Sequence, residues 1–435
     1  MNQVLIYIPE LSNRAKYAFD FFFETILKLG VIYTQSEEDF KNESYLPKVS
    51  YTHQSIDNEL QISPHGLLTA KGIGQLHLVL TDWNGLPIFF QVNNEVIPFD
   101  PLAATFFLIS RYEEYWPHRS DVHQRFPASE SAMFQMGILN QPVVDKWAAQ
   151  ILYMLQSQFP GKIEDNRKYK VEPTIDIDNA YAFLGKGLAR TLGAFARSTF
   201  QLNTSDIIAR AKTLAGMRDD PFDIYDRLIE TTSKYNLRAK YFILLADYGL
   251  NDKNVPHTSR KFQALIKHLH DHADVGIHPG FRTSTDVECL KKELNRLSQI
   301  LHKPILESRQ HFLKMNLPMT YRNLIECEVV HDYSMGFPDE PGFRAGTCTP
   351  FSFFDLELNQ KTPLIVHPFS VMEACYKYYK GMQPEEALAS ISSVISEVKN
   401  VKGEFSFLWH SESLCEHEGW KGWSGLYEQT LKIAT

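Results

Sequence analysis

Residues 171–180 read VEPTIDIDNA, an apolar and β-branched run that ends in Asp176 and Asp178. It reads as a strand, and residues two apart on a strand point to the same side, so both carboxylates can converge on one place. Two close carboxylates repel and raise one pKa unless a cation sits between them. A metal resolves the conflict, with one aspartate binding it and the other left as a base for its bound water. An Asp pair capping the following helix, or a lone ion pair, is the competing reading.

The same pattern recurs downstream. RAKYFILL, DVGIHP, ILESRQHF, VVHDYS, PLIVHPF and FSFLWHS are each apolar until a polar or ionisable residue near the C-terminal end. Between most of them lie segments with helical spacing: FDIYDRLIETTSKYN, SRKFQALIKHLHDH, DVECLKKELNRLSQIL, TYRNLIECE and PEEALASISSVISEVKN. Short buried strands alternating with amphipathic helices predict an α/β fold with a parallel sheet. About seven such units predict a distorted (β/α) barrel over residues 166–435. Barrels place their active sites at the C-terminal ends of the strands, and Asp176, Asp178, His278, Arg309, His311, His367 and His410 all fall there.

One segment interrupts the alternation. Tyr181 to Arg218 carries six basic residues, Lys186, Arg190, Arg197, Arg210, Lys212 and Arg218, against one acid, Asp206. Its apolar spacing predicts a pair of helices with a basic face. They are either a solvated hairpin packed on the barrel or an interfacial element that touches anionic lipid or guides a phosphate-bearing substrate.

Upstream, residues 1–165 predict a smaller α/β domain of unknown role, with strands at VLIYIP and LPIFFQV and a helix at AKYAFDFFFETILKLG. Two polar segments stand out, RYEEYWP (Arg111 to Pro117) and HQRFPASES (His123 to Ser131). Each reads as a surface loop held by local ion pairs, or as a contribution to a substrate cleft. The charged stretch GKIEDNRKYKVEP, Gly161 to Pro173, reads as the linker.

Composition sets outer bounds. With 435 residues, 44% hydrophobic and 22% charged, the chain can bury ample core and is neither disordered nor fibrous. A net charge of −8 argues against a duplex-coating nucleic-acid binder. The 13% aromatic content fits either packed cores or a sugar-facing groove. Five scattered cysteines with no CxxC pair indicate a reduced compartment. MNQVLIYIPEL lacks the basic start, long apolar stretch and small-residue cleavage site of a signal peptide and reads as a first strand. No apolar run reaches the roughly 18 residues that span a bilayer. A cytoplasmic place, or a peripheral one on the inner face of the membrane, is the expectation.

Four strand ends carry the chemistry. Beyond the Asp pair, His278 stands just before a Pro-Gly turn, Arg309 and His311 share one strand face, and His410 ends the last clear strand. Two histidines and an aspartate supply the N/O donors that suit zinc or a related divalent ion, and a further histidine can serve as an acid. P-loop, GxGxxG, GxSxG and HExxH patterns are absent from the sequence. That lowers the odds of a nucleotide enzyme, a serine hydrolase or a common metalloprotease.

In these motifs and their order, the region from about Val171 to the C-terminus resembles the polysaccharide deacetylases, the nodulation-deacetylase homology group of carbohydrate esterases, in a divergent form behind an extra N-terminal domain. The resemblance implies Asp176 as catalytic base and Asp178 as metal ligand, spaced Asp-Ile-Asp where the family has an adjacent pair. It implies Arg309 as the residue that orients the base and His410 as general acid. The family's metal motif has two histidines four apart, whereas Arg282 stands four residues after His278. His311 is therefore expected to supply the missing imidazole beside Asp178 and His278. Arg344, His367, Asp247 and Trp409 are expected to line the sugar cleft; a core histidine is an equal reading for His367, and burial the more frequent fate of a tryptophan.

The resulting expectation is a metal-dependent hydrolase, with zinc as the expected ion, that removes an N-acetyl group from an N-acetylated carbohydrate. A smaller nucleotide- or lipid-linked intermediate is the expected substrate, and peripheral membrane contact would run through residues 181–218. The alternatives are a catalytically inactive glycan-binding barrel and an O-acetyl esterase using the same residues.

Overall fold

The computed structural model describes residues 2–417 and 419–435. VLIYI supplies the first strand, Gln3–Tyr7 (β1), which pairs in parallel with Gly30–Thr34 (β2) and Lys48–Tyr51 (β3); Leu60–Ile62 (β4) adds to β3. The order is β2-β1-β3-β4. Thr81–Trp83 (β5) and Leu86–Ile88 (β6) form an antiparallel hairpin. Its turn residues Asn84 and Gly85 take φ of 55° and 80°, the type I′ geometry that an Asn-Gly pair supplies at least cost. Only the first three residues of LPIFFQV are strand, because the chain turns at Phe90, which takes a positive φ as Phe89 and Phe90 enter the core. The helix Pro101–Ile109 is buried along its whole length, with Pro at its first position and Asp100 Oδ1 accepting from the N–H groups of Leu102 and Ala103.

Downstream, all seven predicted segments contribute strands: Lys170–Ile177 (β7), Lys240–Leu244 (β8), Asp274–His278 (β9), Glu307–Ser308 (β10), His331–Met335 (β11), Gln360–Pro368 (β13) and Glu404–His410 (β15). Two more join them, Phe351–Asp355 (β12) and the short Val371–Met372 (β14). The order is β12-β13-β11-β10-β9-β8-β7-β15-β14, parallel throughout except for β12 against β13. The predicted distorted barrel is a half-barrel: a curled sheet of nine strands rather than about seven, left open with β12 and β14 as edges. The seven-strand reading missed a return strand and a two-residue strand, neither of which has its own amphipathic helix to announce it.

The sheet is nonetheless curled. Strands β7 and β10 are separated by two others, so in a flat sheet they would lie roughly 14 Å apart. Yet Arg309, just past β10, reaches Asp176 on β7 at 3.3 Å. Gly276 on β9 allows the close approach: a Cβ there would meet the Glu307 carbonyl at 2.7 Å and the Phe242 ring at 2.8 Å.

The predicted helices lie between the strands as Tyr225–Ser233, Arg260–His272, Val287–Leu301, Met319–Glu326 and Pro384–Asn400. The insert forms the helices Leu188–Phe200 and Thr204–Leu214. One continuous apolar cluster runs from Phe19, Phe106 and Trp147 upstream to Ile177, Phe354 and Trp409 downstream, so the aromatic residues pack across both parts of the chain. Tyr17 donates to the Ser352 carbonyl at 2.6 Å.

RYEEYWP is not a surface loop. Arg111 is buried and pairs with Glu113 and Glu114, each at 2.7 Å. Glu114 also accepts two bonds from the buried Arg344, at 2.9 and 2.7 Å.

Candidate metal centre

Because the central strands are parallel, their C-terminal ends share one side, and there a pocket of 160 Å³ opens. Asp176, Asp178, His278, His311 and His410 line it, together with Arg125 from the upstream part. The strand register sets each side chain: His410 lies opposite Asp176 in the β15–β7 ladder, and His278 opposite Leu244 in β9–β8. Past β10 the backbone continues the pairing, with Arg309 N–H donating to the Ile277 carbonyl and His311 N–H to the Pro279 carbonyl. That ladder carries Arg309 and His311 onto the face that holds His278.

Asp178, His278 and His311 form a cluster able to hold a metal ion, their ligand atoms all within 4.8 Å of one another. His278 Nδ1 faces the Arg309 carbonyl at 2.5 Å and must donate to it, which turns Nε2 towards Asp178 Oδ1 at 3.1 Å. Both Nε2 and Oδ1 are buried without a hydrogen-bond partner. His311 is fixed in the same sense: its Nδ1 donates to Asp252 at 2.8 Å and its Nε2 lies 3.4 Å from Asp178 Oδ2. A carboxylate or carbonyl behind each imidazole is the usual support of a ligating histidine. The chemistry of the donor set, two imidazoles and one carboxylate with orphaned atoms aimed at one point, fits a divalent ion.

Electrostatics agree. Burial pushes the Asp178 carboxyl up, but the nearby imidazoles of His311 and His278 outweigh it and hold it well below the usual carboxylate range. Burial likewise disfavours charge on His311, yet Asp178 and Asp252 raise it to about 9. Without a metal, a proton on His311 takes the cation's place.

Two further pairs flank the cluster. Arg309 is buried and donates to Asp176 at 3.3 Å, to Thr174 Oγ1 at 2.7 Å and to the Tyr333 carbonyl at 2.9 Å. His410 Nδ1 donates to Glu373 at 2.9 Å, and its Nε2 lies 3.9 Å from Asp178 Oδ2. Burial opposes charge on His410, but Glu373 prevails and holds the imidazole well above its ordinary value. Glu412 is pushed to about 7 by burial and by Asp178.

Four expected cleft residues lie elsewhere. Arg344 is buried against Glu114 and presents no guanidinium to the pocket. His367 sits towards the opposite end of the sheet, stacked on Tyr333 at 4.2 Å and 12° and facing His331 at 3.0 Å and Glu404 at 3.9 Å. Asp247 is committed to Lys292 and Arg296, at 2.7 and 2.5 Å. Trp409 precedes His410 on one strand and so points to the other face, where it is buried against Phe407 and Tyr427.

Asp252, Glu373, Thr174 and Arg125 escaped the sequence reading by name. A protonated imidazole at His410 requires an acceptor behind its second nitrogen, and Glu373 supplies it. Arg125 lies in HQRFPASES, and there the cleft reading describes the structure: it donates to the Phe312 carbonyl at 2.7 Å and to Tyr379 Oη at 3.2 Å. Among the described residues, no helix is long and apolar enough to cross a membrane.

Fold and site together define a mixed α/β protein with a curled, largely parallel sheet and an Asp/His/His cluster at its C-terminal edge. A model of a family of unknown function, DUF7033, matches residues 4–160. No curated protein matches the chain. Among solved structures, the chain is similar to a Mycobacterium smegmatis protein assigned as a polysaccharide deacetylase, at 14% identity and a TM-score of 0.39, covering 62% of this chain and 84% of that one. It is also similar to a polysaccharide deacetylase from Bacillus cereus, at 12% identity and a TM-score of 0.30, covering 61% and 86%. A CE4 family pseudoenzyme from Bacillus anthracis is similar at 10% identity and a TM-score of 0.29, covering 60% and 62%.

Proposed function

We propose that this pocket hydrolyses the acetamido group of an N-acetylated sugar, with a divalent ion, zinc by its donor set, held by Asp178, His278 and His311. The observation that carries this reading is the pair of orphaned, buried atoms Asp178 Oδ1 and His278 Nε2, each held towards the other by its surroundings. When bound, the ion supplies a Lewis acid and a water of lowered pKa.

The remaining work falls to the chain's own residues. Asp176 accepts the proton of the attacking water, and Arg309, an always-charged fork, pairs with that carboxylate and aims it. His410, kept protonated by Glu373, donates its Nε2 proton to the departing amine. The pocket is small, 160 Å³, which suits one acetamido group and its ring more than a long polymer lying inside it.

The test is metal content and acetate release from N-acetylglucosamine oligosaccharides and small N-acetylated glycosides. One equivalent of divalent ion, with both metal and acetate release lost in Asp178→Ala, is the expected result. Metal-free protein that releases no acetate after zinc is added would overturn the reading in favour of a silent glycan binder. Release of acetate from O-acetylated sugars alone would replace the amide by an ester.

A further inference from the structure

Beside the metal cluster lies a second cavity, of 560 Å³, between the turn that follows β7, the helix Leu188–Phe200 and the loop after β8. Its lining includes five cations, Lys186, Arg190, Arg197, Arg210 and Lys253, and no acidic residue. Of these, only Arg210 has a carboxylate partner among the described residues, Asp206 at 3.2 Å. Arg190 donates to the carbonyls of Lys253 at 2.9 Å and Asn254 at 3.0 Å and lies 4.1 Å from the centre of the Tyr248 ring. Those contacts aim the guanidinium without neutralising it. Lys186 donates to Asn179 at 2.9 Å, and burial together with the charge of Arg190 pushes its ammonium down to about 8. Cations gathered in this way repel one another, and a bound anion relieves the repulsion.

The cavity adjoins the proposed reaction site. Asn179, which lines it, follows Asp178 directly in the chain. In a 2-acetamido sugar activated at its anomeric carbon, the phosphate is attached to the ring carbon next to the one that bears the acetamido group. An acetamido group at the metal cluster therefore directs that phosphate to a neighbouring site.

We infer that this cavity is the subsite for a phosphate or diphosphate carried by the substrate, making the substrate class N-acetylated glycosyl phosphates. This rests on the deacetylase reading for the sugar but not for the anion. The carrier beyond the phosphate can be a nucleoside or a lipid, and both present the same group to the cavity. The hairpin also exposes Leu188, Leu192, Phe200 and Leu202 to solvent, which favours a lipid carrier.

The test has two arms on the full chain. In the first, zinc-loaded protein is given N-acetylglucosamine on a nucleoside diphosphate, the same sugar on a polyprenyl diphosphate in detergent micelles, and a neutral N-acetylglucosamine trisaccharide. At least tenfold higher kcat/KM on one or both phosphorylated substrates is expected, and the better carrier identifies the source. In the variant Arg197→Ala with Lys253→Ala, that preference should fall about tenfold or more, carried by KM. Equal kcat/KM on all three substrates would overturn the inference. In the second arm, calorimetry measures inorganic diphosphate binding to the wild type and to Asp178→Ala, whose broken metal site removes binding on the ion. Binding that survives Asp178→Ala and weakens about tenfold or more on adding the Arg197 and Lys253 substitutions supports the subsite; loss of binding in Asp178→Ala alone would overturn it. Diphosphate binding without acetate release from any substrate would sink the deacetylase reading and leave the anion site standing. Acetate release with no phosphate preference does the reverse.

Discussion

His278 Nε2 and Asp178 Oδ1 stand 3.1 Å apart inside the protein with no hydrogen bond on either atom. The Arg309 carbonyl behind the imidazole takes its other proton, so the ring cannot turn away without leaving a buried carbonyl unmet. Such an arrangement is costly unless a cation shares the space. Removing the carboxylate should therefore do two things at once. Asp178→Ala is expected to abolish stoichiometric metal binding, measured by elemental analysis after dialysis. In metal-free buffer near pH 7 its melting temperature should fall below that of the wild type, because the protonated His311 loses the carboxylate that offsets its burial. Metal retained by Asp178→Ala at one equivalent would refute the ligand assignment.

His311 should make metal uptake depend on pH. Its folded-state value of about 9 lies above the ordinary 6.5. In the metal-free protein its proton thus adds stability that is complete below about 6.5 and is lost as pH rises through about 9. The metal must displace that proton, so affinity should rise about tenfold per pH unit between those limits and level off above them. Zinc titrations across that window, with a competing chelator, would show it. A flat affinity would mean that His311 is not a ligand.

Glu373 should set the alkaline side of the rate profile. A general acid must hold its proton, and Glu373 keeps the imidazole of His410 charged well above the ordinary range. Glu373→Gln removes the charge while keeping a hydrogen-bonding group, so the alkaline limb of kcat against pH should move to lower pH. At a pH above the shifted limb, turnover should fall about 10²-fold, the usual worth of a positioned acid. An unmoved limb would assign the proton to another group.

The buried ion pairs upstream should matter for stability in a way the exposed ones do not. Glu114→Ala strands Arg111 and Arg344 without their shared carboxylate, and breaking a buried pair in this way costs about 3–5 kcal/mol. Asp247→Ala removes pairs from a carboxylate whose side chain is 66% exposed, and its cost should not exceed about 1 kcal/mol. Urea unfolding of both variants gives the comparison. KM for the N-acetylated substrate should not change in Asp247→Ala, since that side chain, in the loop after β8, pairs with the helix Val287–Leu301 and does not line the pocket.

Much of this architecture is a local property of the chain. Seven apolar segments that end in a polar residue, with amphipathic helices between them, specify parallel strands whose C-terminal ends share one side. That alone gathers Asp176, Asp178, His278, Arg309, His311 and His410. The two-residue period also contained information left unused: if His410 faces inward, Trp409 must face outward, and it is buried there.

What local pattern could not supply is contact between distant segments. Arg344 is carried away from the cleft by Glu114, which lies 230 residues earlier. Asp252, in the loop after β8, and Glu373, directly after β14, reach the two histidines along paths that depend on the packing of the whole sheet. Nor could it reveal that the sheet stays open between β12 and β14, because closure depends on the accumulated twist and curl of nine strands rather than on any one of them. Periodicity and strand ends lie within a few residues of one another and are written in the sequence directly. Partner choice for a buried charge is a free-energy balance over the whole fold, and the tertiary structure alone decides it.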